Sequence, residues 1–329
     1  MGIKRKFPGS RITWVTDRPG DALLRGHPLV DRVWVTALDD LLCLSSQSFD
    51  VGFVIDKSLK AAGILKWCQV DQIYGFVSDP VFGGIVPATP AAEELWQIGL
   101  SNKVKFFENK KPETQLLAEA LEISYLRDEY NLPLTSEERT IRDERRATWG
   151  QGKVILGLNT GCSGNFPNKK FSVQFHRELL RVLQSRFDFS VVLLGGPEDE
   201  VRNQQIAFGH KVIQSPTRRG LRDGLVSVAA CDVIVTGDSL GLHMGISQKI
   251  WMISWFGPTC AHEIDLFDRG EALVSGVTCG PCWKPQCSKS VMCYDQVEIS
   301  SISEALQRFL AKRERDAEGL QKGCVTKGL

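Results

Sequence analysis

The densest chemistry in this chain lies at Asp238-Ser239-Leu240-Gly241-Leu242-His243, where a carboxylate, a hydroxyl and an imidazole are close in sequence. The apolar run Asp232–Gly237 before it reads as a strand, and Leu240–Ser247 after it as a helix. Asp238 and Ser239 then stand where the helix begins, with His243 on its first turns. Such an Asp can simply cap the helix, and such a His can be a satisfied, half-buried one; together they can also hold a ligand. A second group, Thr160 to Phe171, follows the strand Lys153–Asn159 and precedes another helix. Its backbone amides and its Thr160 and Ser163 hydroxyls could cradle a phosphate, with Lys169 adding charge. The competing reading is an ordinary loop with solvated lysines. A third strand ends in Trp255-Phe256-Gly257-Pro258-Thr259. Ligands of open parallel sheets bind at the carboxyl ends of strands, so three such ends favour one shared ligand cleft. The fingerprints of P-loop nucleotide hydrolysis and of common dinucleotide binding are both missing.

Cys279, Cys282, Cys287 and Cys293 form a C-x2-C-x4-C-x5-C pattern. The first pair, with Gly-Pro between, can wrap a metal in a tight knuckle, and the other two complete a four-thiolate set. Structural zinc is the first expectation; an iron–sulfur cluster or free thiols are the alternatives. Disulfides fit a reducing compartment least. The remaining cysteines read as small apolar packing residues.

The elements that must position these groups follow from length and pattern. The chain has 329 residues, enough for about two domains. Lys+Arg 40 against Asp+Glu 39 leaves a net charge of +1, which argues against a general nucleic-acid or anionic-surface binder. The 43% apolar and 24% charged residues are those of a globular protein. No run reaches the 18 or so apolar residues of a membrane span. No apolar segment follows the basic start Met1 to Pro8, so a cytoplasmic location is expected. In the first half Arg11–Thr16, Val33–Val35, Val51–Ile55 and Gln72–Phe76 read as strands. Ser58–Cys68 and Glu113–Ile123 read as helices, and Ser78–Pro112 as loop. The stretch from Asp128 to Gly152 reads as a linker carrying a charged helix that Thr135 or Ser136 caps. From Lys153 on, strands and helices alternate as in a doubly wound α/β domain, closing with a helix over Ser301–Arg313. The expected division is 1–150, 151–313 and a flexible tail 314–329. The opening residues look like a helix end and its turn, as if the chain began mid-motif.

The motifs together resemble glycosyltransferase family 9, the ADP-heptose:lipopolysaccharide heptosyltransferases and their relatives. The resemblance rests on Asp238-Ser239 with His243 and on Phe256-Gly257-Pro258-Thr259. Lys169-Lys170-Phe171-Ser172 is similar to the family's K-x-W-P, and Arg5 to Trp14 to its first helix end and second strand. Leu240 stands where many members have Gly, with Gly241 one residue on. The resemblance implies a GT-B fold: two Rossmann-like domains facing a cleft, here with the first strand and its loop lacking. It implies a donor site drawn from Thr160, Ser163, Lys169, Asp238, Ser239, Gly241 and His243. An acidic donor contact is also implied, for which Glu198 and Glu200 both qualify. The family's catalytic Asp lies in the lacking loop. Gly20-Asp21 follows the second strand, so the role is not transferred and the catalytic residue is open.

The function so implied is inverting transfer of a heptose-type sugar from a nucleotide-sugar, ADP-heptose first, to a lipopolysaccharide core or related envelope glycan. No cofactor is required for that chemistry. The acceptor would be lipid-linked, so peripheral contact at the inner face of the inner membrane is expected; Lys4, Arg5, Lys6 and Arg11 could help, but at this net charge they read first as a solvated charge cluster. A monomer is expected. The alternative is an inactive nucleotide-sugar-binding protein; a third class, a NAD-dependent oxidoreductase, predicts nicotinamide binding.

Overall fold

The computed structural model describes the backbone from Met1 to Val325 and side chains to Glu318. The chain forms two compact units, Met1–Leu132 with His262–Asp265, and Pro133–Ala261 with Leu266 onward.

The first unit carries two small sheets. Strand β1 (Thr13–Thr16) pairs in parallel with β2 (Arg32–Val35). Strand β3 (Ser48–Val54) pairs in parallel with β4 (Gln69–Ser78), and β4 pairs antiparallel with β5 (Ile85–Pro87). The expected strand–helix alternation is present, and the pairing is divided between the two sheets. The β3–β4 crossover helix Leu59–Trp67 starts at Ser58, whose hydroxyl accepts the Ala61 amide at 3.2 Å. Ser78–Pro112 differs from the loop expected there. It contains β5, a helix over Glu93–Leu100 and a π-helical turn over Val104–Glu108. Leu95 and Ile98 pack with Val54, Phe76 and Leu116, and this burial organises a segment whose Gly and Pro content suggests otherwise.

The second unit opens with the helix Ser136–Gly150. Thr135 accepts the Glu138 amide at 3.2 Å, and the Glu138 carboxylate accepts the Thr135 amide at 2.8 Å, a reciprocal cap. Gln151 and Gly152, both at positive φ, end it. Arg145 in this helix donates to Asp223 Oδ1 at 2.6 Å and to Ser227 Oγ at 2.8 Å on the helix Leu221–Ala229. That packing moves the expected boundary at 150 to Leu132/Pro133: the charged helix is part of the second unit.

Six parallel strands follow: β6 (Val154–Asn159), β7 (Phe189–Leu194), β8 (Ile213–Gln214), β9 (Val233–Gly237), β10 (Trp251–Phe256) and β11 (Gly270–Val274). Their order is β11-β10-β9-β6-β7-β8. The chain winds outward from β6 to β8, then returns to the other side of β6 with β9. The switch of direction therefore falls between β6 and β9, where a crevice opens at the strand ends. Every residue of β9 is buried, as a central parallel strand covered on both faces must be. One core runs through Leu158, Leu179, Leu193, Val235, Trp255, Ile302 and Leu306. Edge strand β11 is absent from the expectation because Gly270 and Glu271 break its apolar run. The closing helix spans Ile299–Val325, so most of the expected tail 314–329 is helical, and residues 326–329 lie outside the described residues.

Candidate functional site

The switch point is built around Asn159, the last residue of β6. Its side-chain nitrogen lies 2.9 Å from Thr236 Oγ1, 2.9 Å from Ser239 Oγ and 3.1 Å from the Gly161 carbonyl oxygen. Both strand-end loops therefore lean on one amide. Gly241 sits on the far side. A Cβ there would fall 2.8 Å from Asn159 Cγ, so the helix Leu240–Ser247 can start this close to β6 only without a side chain at 241.

Lys169 joins the two loops. Its ammonium donates to Asp238 Oδ2 at 2.8 Å, and the two side chains are only 15% and 13% exposed. The same nitrogen lies 5.2 Å from the centre of the Phe166 ring and 5.3 Å from that of Trp283, and the two rings meet edge to face at 5.5 Å. His243 Nε2 is 4.0 Å from Asp238 Oδ1. Lys169, Asp238, Ser239, Gly241 and His243 are thus brought together at the strand ends. A cation and a helix start attract an anion, and a carboxylate accepts from hydroxyls, so this group suits a phosphorylated, hydroxyl-bearing ligand.

The structure withdraws Thr160. It is fully buried, and its hydroxyl is taken up by the Leu194 carbonyl at 3.0 Å and by Asn203 Oδ1. It fastens β6 to β7 and offers nothing to a ligand. Ser163 is exposed and accepts the Asn165 amide at 3.2 Å, which shapes the loop. Glu200 is bound to Arg218, whose Nε donates at 2.8 Å, and Glu198 stands exposed.

The acid that turns inward lies between those two. Asp199 is 1% exposed, accepts the Gly196 amide at 3.0 Å and faces Lys170 at 3.7 Å. A Cβ on Gly161 would meet its Oδ2 at 1.9 Å, so that glycine makes room for it. Burial raises the Asp199 carboxyl above its ordinary pKa. The tight turn Pro197–Asp199 ahead of the helix Glu200–Ala207 shifts the helical phase by a residue and selects 199. The Gly-Gly-Pro before it is the only sequence sign of that turn.

The phosphate-cradle loop is held from beneath. Arg202 donates to the Thr160 carbonyl at 3.1 Å and to that of Phe171, grasping both ends of the loop. Its guanidinium also lies 3.2 Å from His176 Nδ1. Burial first, then this neighbouring charge, pushes His176 down to about 3, so the imidazole is neutral.

The cysteine loop packs on the Phe256-Gly257-Pro258 turn. The amides of Cys282 and Trp283 donate to the Pro258 carbonyl at 3.1 and 2.9 Å. A Cβ on Gly257 would lie 2.7 Å from Cys293 Sγ. The Cys293 thiol is pushed up to about 11, by burial first and then by Cys282, Cys287 and Cys279. The four are free cysteines, and no three of their sulfurs lie within 4.8 Å of one another, so the expected four-thiolate zinc or iron–sulfur site is not assembled here.

In the first unit, Asp21 is held by Arg25 at 3.0 Å. The basic start is likewise engaged: Arg5 pairs with Asp128 at 2.7 Å, Lys4 with Asp31 at 3.4 Å, and Lys6 lies 4.1 Å from the centre of the Tyr74 ring.

Comparison with known proteins adds to this geometry. Residues 43–292 match the family model "Glycosyltransferase family 9 (heptosyltransferase)". A lipooligosaccharide heptosyltransferase 2 of Campylobacter jejuni is 26% identical over 166 residues, 48% of this chain and 52% of that protein. The chain spans about half the length of the curated relatives it matches. The structure of ADP-heptose lps heptosyltransferase II from E. coli superposes with a TM-score of 0.65 at 16% identity, over 95% of this chain and 93% of that one. E. coli heptosyltransferase WaaC with ADP gives 0.58 at 17%, over 94% and 91%. At these identities the two structures establish the GT-B type of fold.

Proposed function

This chain belongs to glycosyltransferase family 9, the heptosyltransferase family, and on that premise we propose that it transfers a heptose-type sugar from a nucleotide-sugar to an envelope glycan acceptor. ADP-heptose is the first choice of donor, because a relative of the same fold was solved with ADP. A lipopolysaccharide-core saccharide is the first choice of acceptor, after the relatives named as lipooligosaccharide and lps heptosyltransferases. The observation that carries this reading is the Lys169–Asp238 pair, 2.8 Å apart at the strand ends with Ser239 and His243 beside it.

The chemistry follows from the leaving group. Direct displacement at the anomeric carbon inverts it and releases a nucleoside diphosphate, on which negative charge grows. Lys169 and the amides opening the helix Leu240–Ser247 are placed to stabilise that charge. Asp238 orients Lys169 and accepts from donor hydroxyls. Glu198, exposed beside the same strand ends, is the acid free to meet the nucleoside. No cofactor enters the displacement. The reading assigns donor binding and leaves the base on the acceptor side unassigned, since Asp21 is bound to Arg25.

No helix among the described residues is long and apolar enough to cross a membrane. For a lipid-linked acceptor, surface contact is proposed through the β4–β5 tip. Val81 and Phe82 are 78% and 88% exposed there, and Asp79 accepts both their amides, at 2.6 and 3.0 Å. A hydrogen-bonded turn thus presents two bulky apolar side chains to solvent, with Lys66 near enough to act on Asp79. Lys4 and Arg5, from the basic start, are paired with carboxylates.

The test is a donor screen on the purified chain. Thermal shifts with ADP, UDP, GDP and CMP should single out ADP, and ADP release from ADP-heptose should require an acceptor saccharide. Stabilisation by NAD alone, or by none of the four nucleotides, would overturn the reading. ADP binding without any transfer would convert it to a nucleotide-sugar-binding protein.

A further inference from the structure

We propose that Arg202 is a positioning residue of the donor site: its one guanidinium grips both ends of the loop from Thr160 to Phe171 and so holds Lys169 where it meets phosphate. Arg202 stands on the helix Glu200–Ala207. Its Nε donates to the Thr160 carbonyl at 3.1 Å, and its Nη2 donates to that of Phe171. Both acceptor residues are buried, Thr160 wholly and Phe171 at 3% exposure. The Thr160 amide and hydroxyl are already taken up by the Leu194 carbonyl, at 3.1 and 3.0 Å, so its own carbonyl is the group left for Arg202. Without the guanidinium, one buried carbonyl at each end of the loop would lose its charged donor.

The grip is particular to arginine. A planar fork holds Nε–H and Nη–H at a fixed spacing, so two carbonyls bound to it are held at a fixed spacing too; a lysine offers one nitrogen. Among the described residues no ion pair draws Arg202 away. Asp199, the buried acid at the start of its helix, faces Lys170 at 3.7 Å instead. His176 Nδ1 lies 3.2 Å from the guanidinium, and that imidazole is neutral, so it adds no competing charge.

Lys169 stands between the gripped ends. Its main chain is pressed against the end of β9, where a Cβ on Gly237 would fall 2.0 Å from the Lys169 carbonyl oxygen. Two residues on, the Phe171 ring stacks with Phe175 at 4.1 Å and with Trp255 at 4.6 Å. The chain from 169 to 171 is thus fixed by β9, by an aromatic stack and by Arg202, and these set the direction from which the Lys169 side chain reaches Asp238. The last step, from loop to ligand, rests on the reading that Lys169 meets the donor phosphates.

The test compares Arg202→Met and Arg202→Lys with the wild type, each as the full chain. In hydrogen exchange without ligand, the amides of residues 161–170 should exchange about tenfold faster in both variants, with β6 and β9 unchanged. By calorimetry ADP should bind about tenfold more weakly to Arg202→Met and about fivefold more weakly to Arg202→Lys, which keeps the charge and loses the fork. Adenosine, which has no phosphate, should lose less than about twofold in either, whereas general damage to the fold would weaken both ligands alike. Loop amides that exchange as in the wild type overturn the grip. A loosened loop with ADP affinity within about twofold of wild type, or adenosine affinity that falls as far as that of ADP, overturns the positioning role. Wild-type ADP affinity in Arg202→Lys would mean that charge alone suffices, and overturns the two-ended grip. If Arg202→Met does not fold, Arg202→Lys carries every measurement. If the wild type itself ignores ADP, the donor reading has failed, and the exchange measurement still decides whether Arg202 holds the loop.

Discussion

Two aspartates bracket the same strand, Asp232 just before β9 and Asp238 just after it. They are almost equally covered, at 12% and 13% exposure of the side chain. Asp232 is saturated. One oxygen accepts from Arg146 at 2.7 Å and lies 3.1 Å from Arg313, and the other accepts the Ile155 amide at 2.8 Å. Asp238 has one firm partner, Lys169, and His243 stands off at 4.0 Å. Cover is alike at the two ends. What differs is the number of protein groups competing for the carboxylate, and the end of the sheet on which it stands. The amino end is stitched shut, whereas the carboxyl end keeps hydrogen-bonding capacity in reserve.

Substitutions can break this contrast. Asp232→Ala should cost about 2–3 kcal/mol in urea unfolding, since it strands two arginines and a strand amide. ADP-induced stabilisation of the folded protein should persist, and a cost under about 0.5 kcal/mol would erase the distinction. Lys169→Ala should do the opposite. ADP affinity measured by calorimetry should fall ten- to a hundredfold, or about 1.4–2.7 kcal/mol, with a stability change below about 1 kcal/mol.

His176 tests whether the framework under the loop is separable from the ligand groups. Its folded pKa of about 3 lies below the unfolded 6.5. The unfolded chain therefore binds the proton first. The stability this neutral imidazole contributes is complete above pH 6.5 and is lost as pH falls toward 3, at up to about 1.4 kcal/mol per pH unit. His176→Gln should flatten that part of the urea-stability profile, and ADP affinity between pH 5.5 and 7.5 should carry no titration due to His176. Smallest of all, Asp238→Asn keeps the shape and removes the charge that orients Lys169. It should weaken ADP roughly threefold with the melting temperature nearly unchanged, and a loss as large as that of Lys169→Ala would mean that Asp238 meets the nucleotide and not only hydroxyls of the sugar.

Much of the second unit could be read from residue order. The β6, β7, β9 and β10 strands are long apolar runs with Gly or polar residues at their ends, and strand-end logic then pointed to Lys169, Asp238, Ser239 and His243. Thr160 misled because a hydroxyl in a loop looks the same whether it faces a ligand or Asn203; only burial tells them apart. Asp199 was hidden by a one-residue phase shift at Pro197, with the glutamates on either side as decoys. Asn159 reads as the polar end of a strand until β9 is laid beside β6. Trp283 carries no local signal, because its partners Phe166 and Lys169 are more than a hundred residues away. In the first unit, Leu95 and Ile98 were obscured by the glycines and prolines around them, and their role emerges only from packing.

The Asn159 amide has one further consequence, which comes from counting hydrogens. It has two to give and three oxygens within reach, at Gly161, Thr236 and Ser239. The Thr236 hydroxyl spends its own hydrogen on the Gly237 carbonyl at 2.8 Å. Ser239 Oγ lies 2.9 Å from the Asn159 nitrogen and 3.3 Å from Thr236 Oγ1, so its own hydrogen can go to Thr236 or to an arriving oxygen. The Ser239 hydroxyl can therefore offer an arriving phosphoryl oxygen a hydrogen and still keep a lone pair for an arriving donor. Discrimination between ligands at the mouth of the sheet then falls to the charged pair beside it, the Lys169 ammonium and the Asp238 carboxylate.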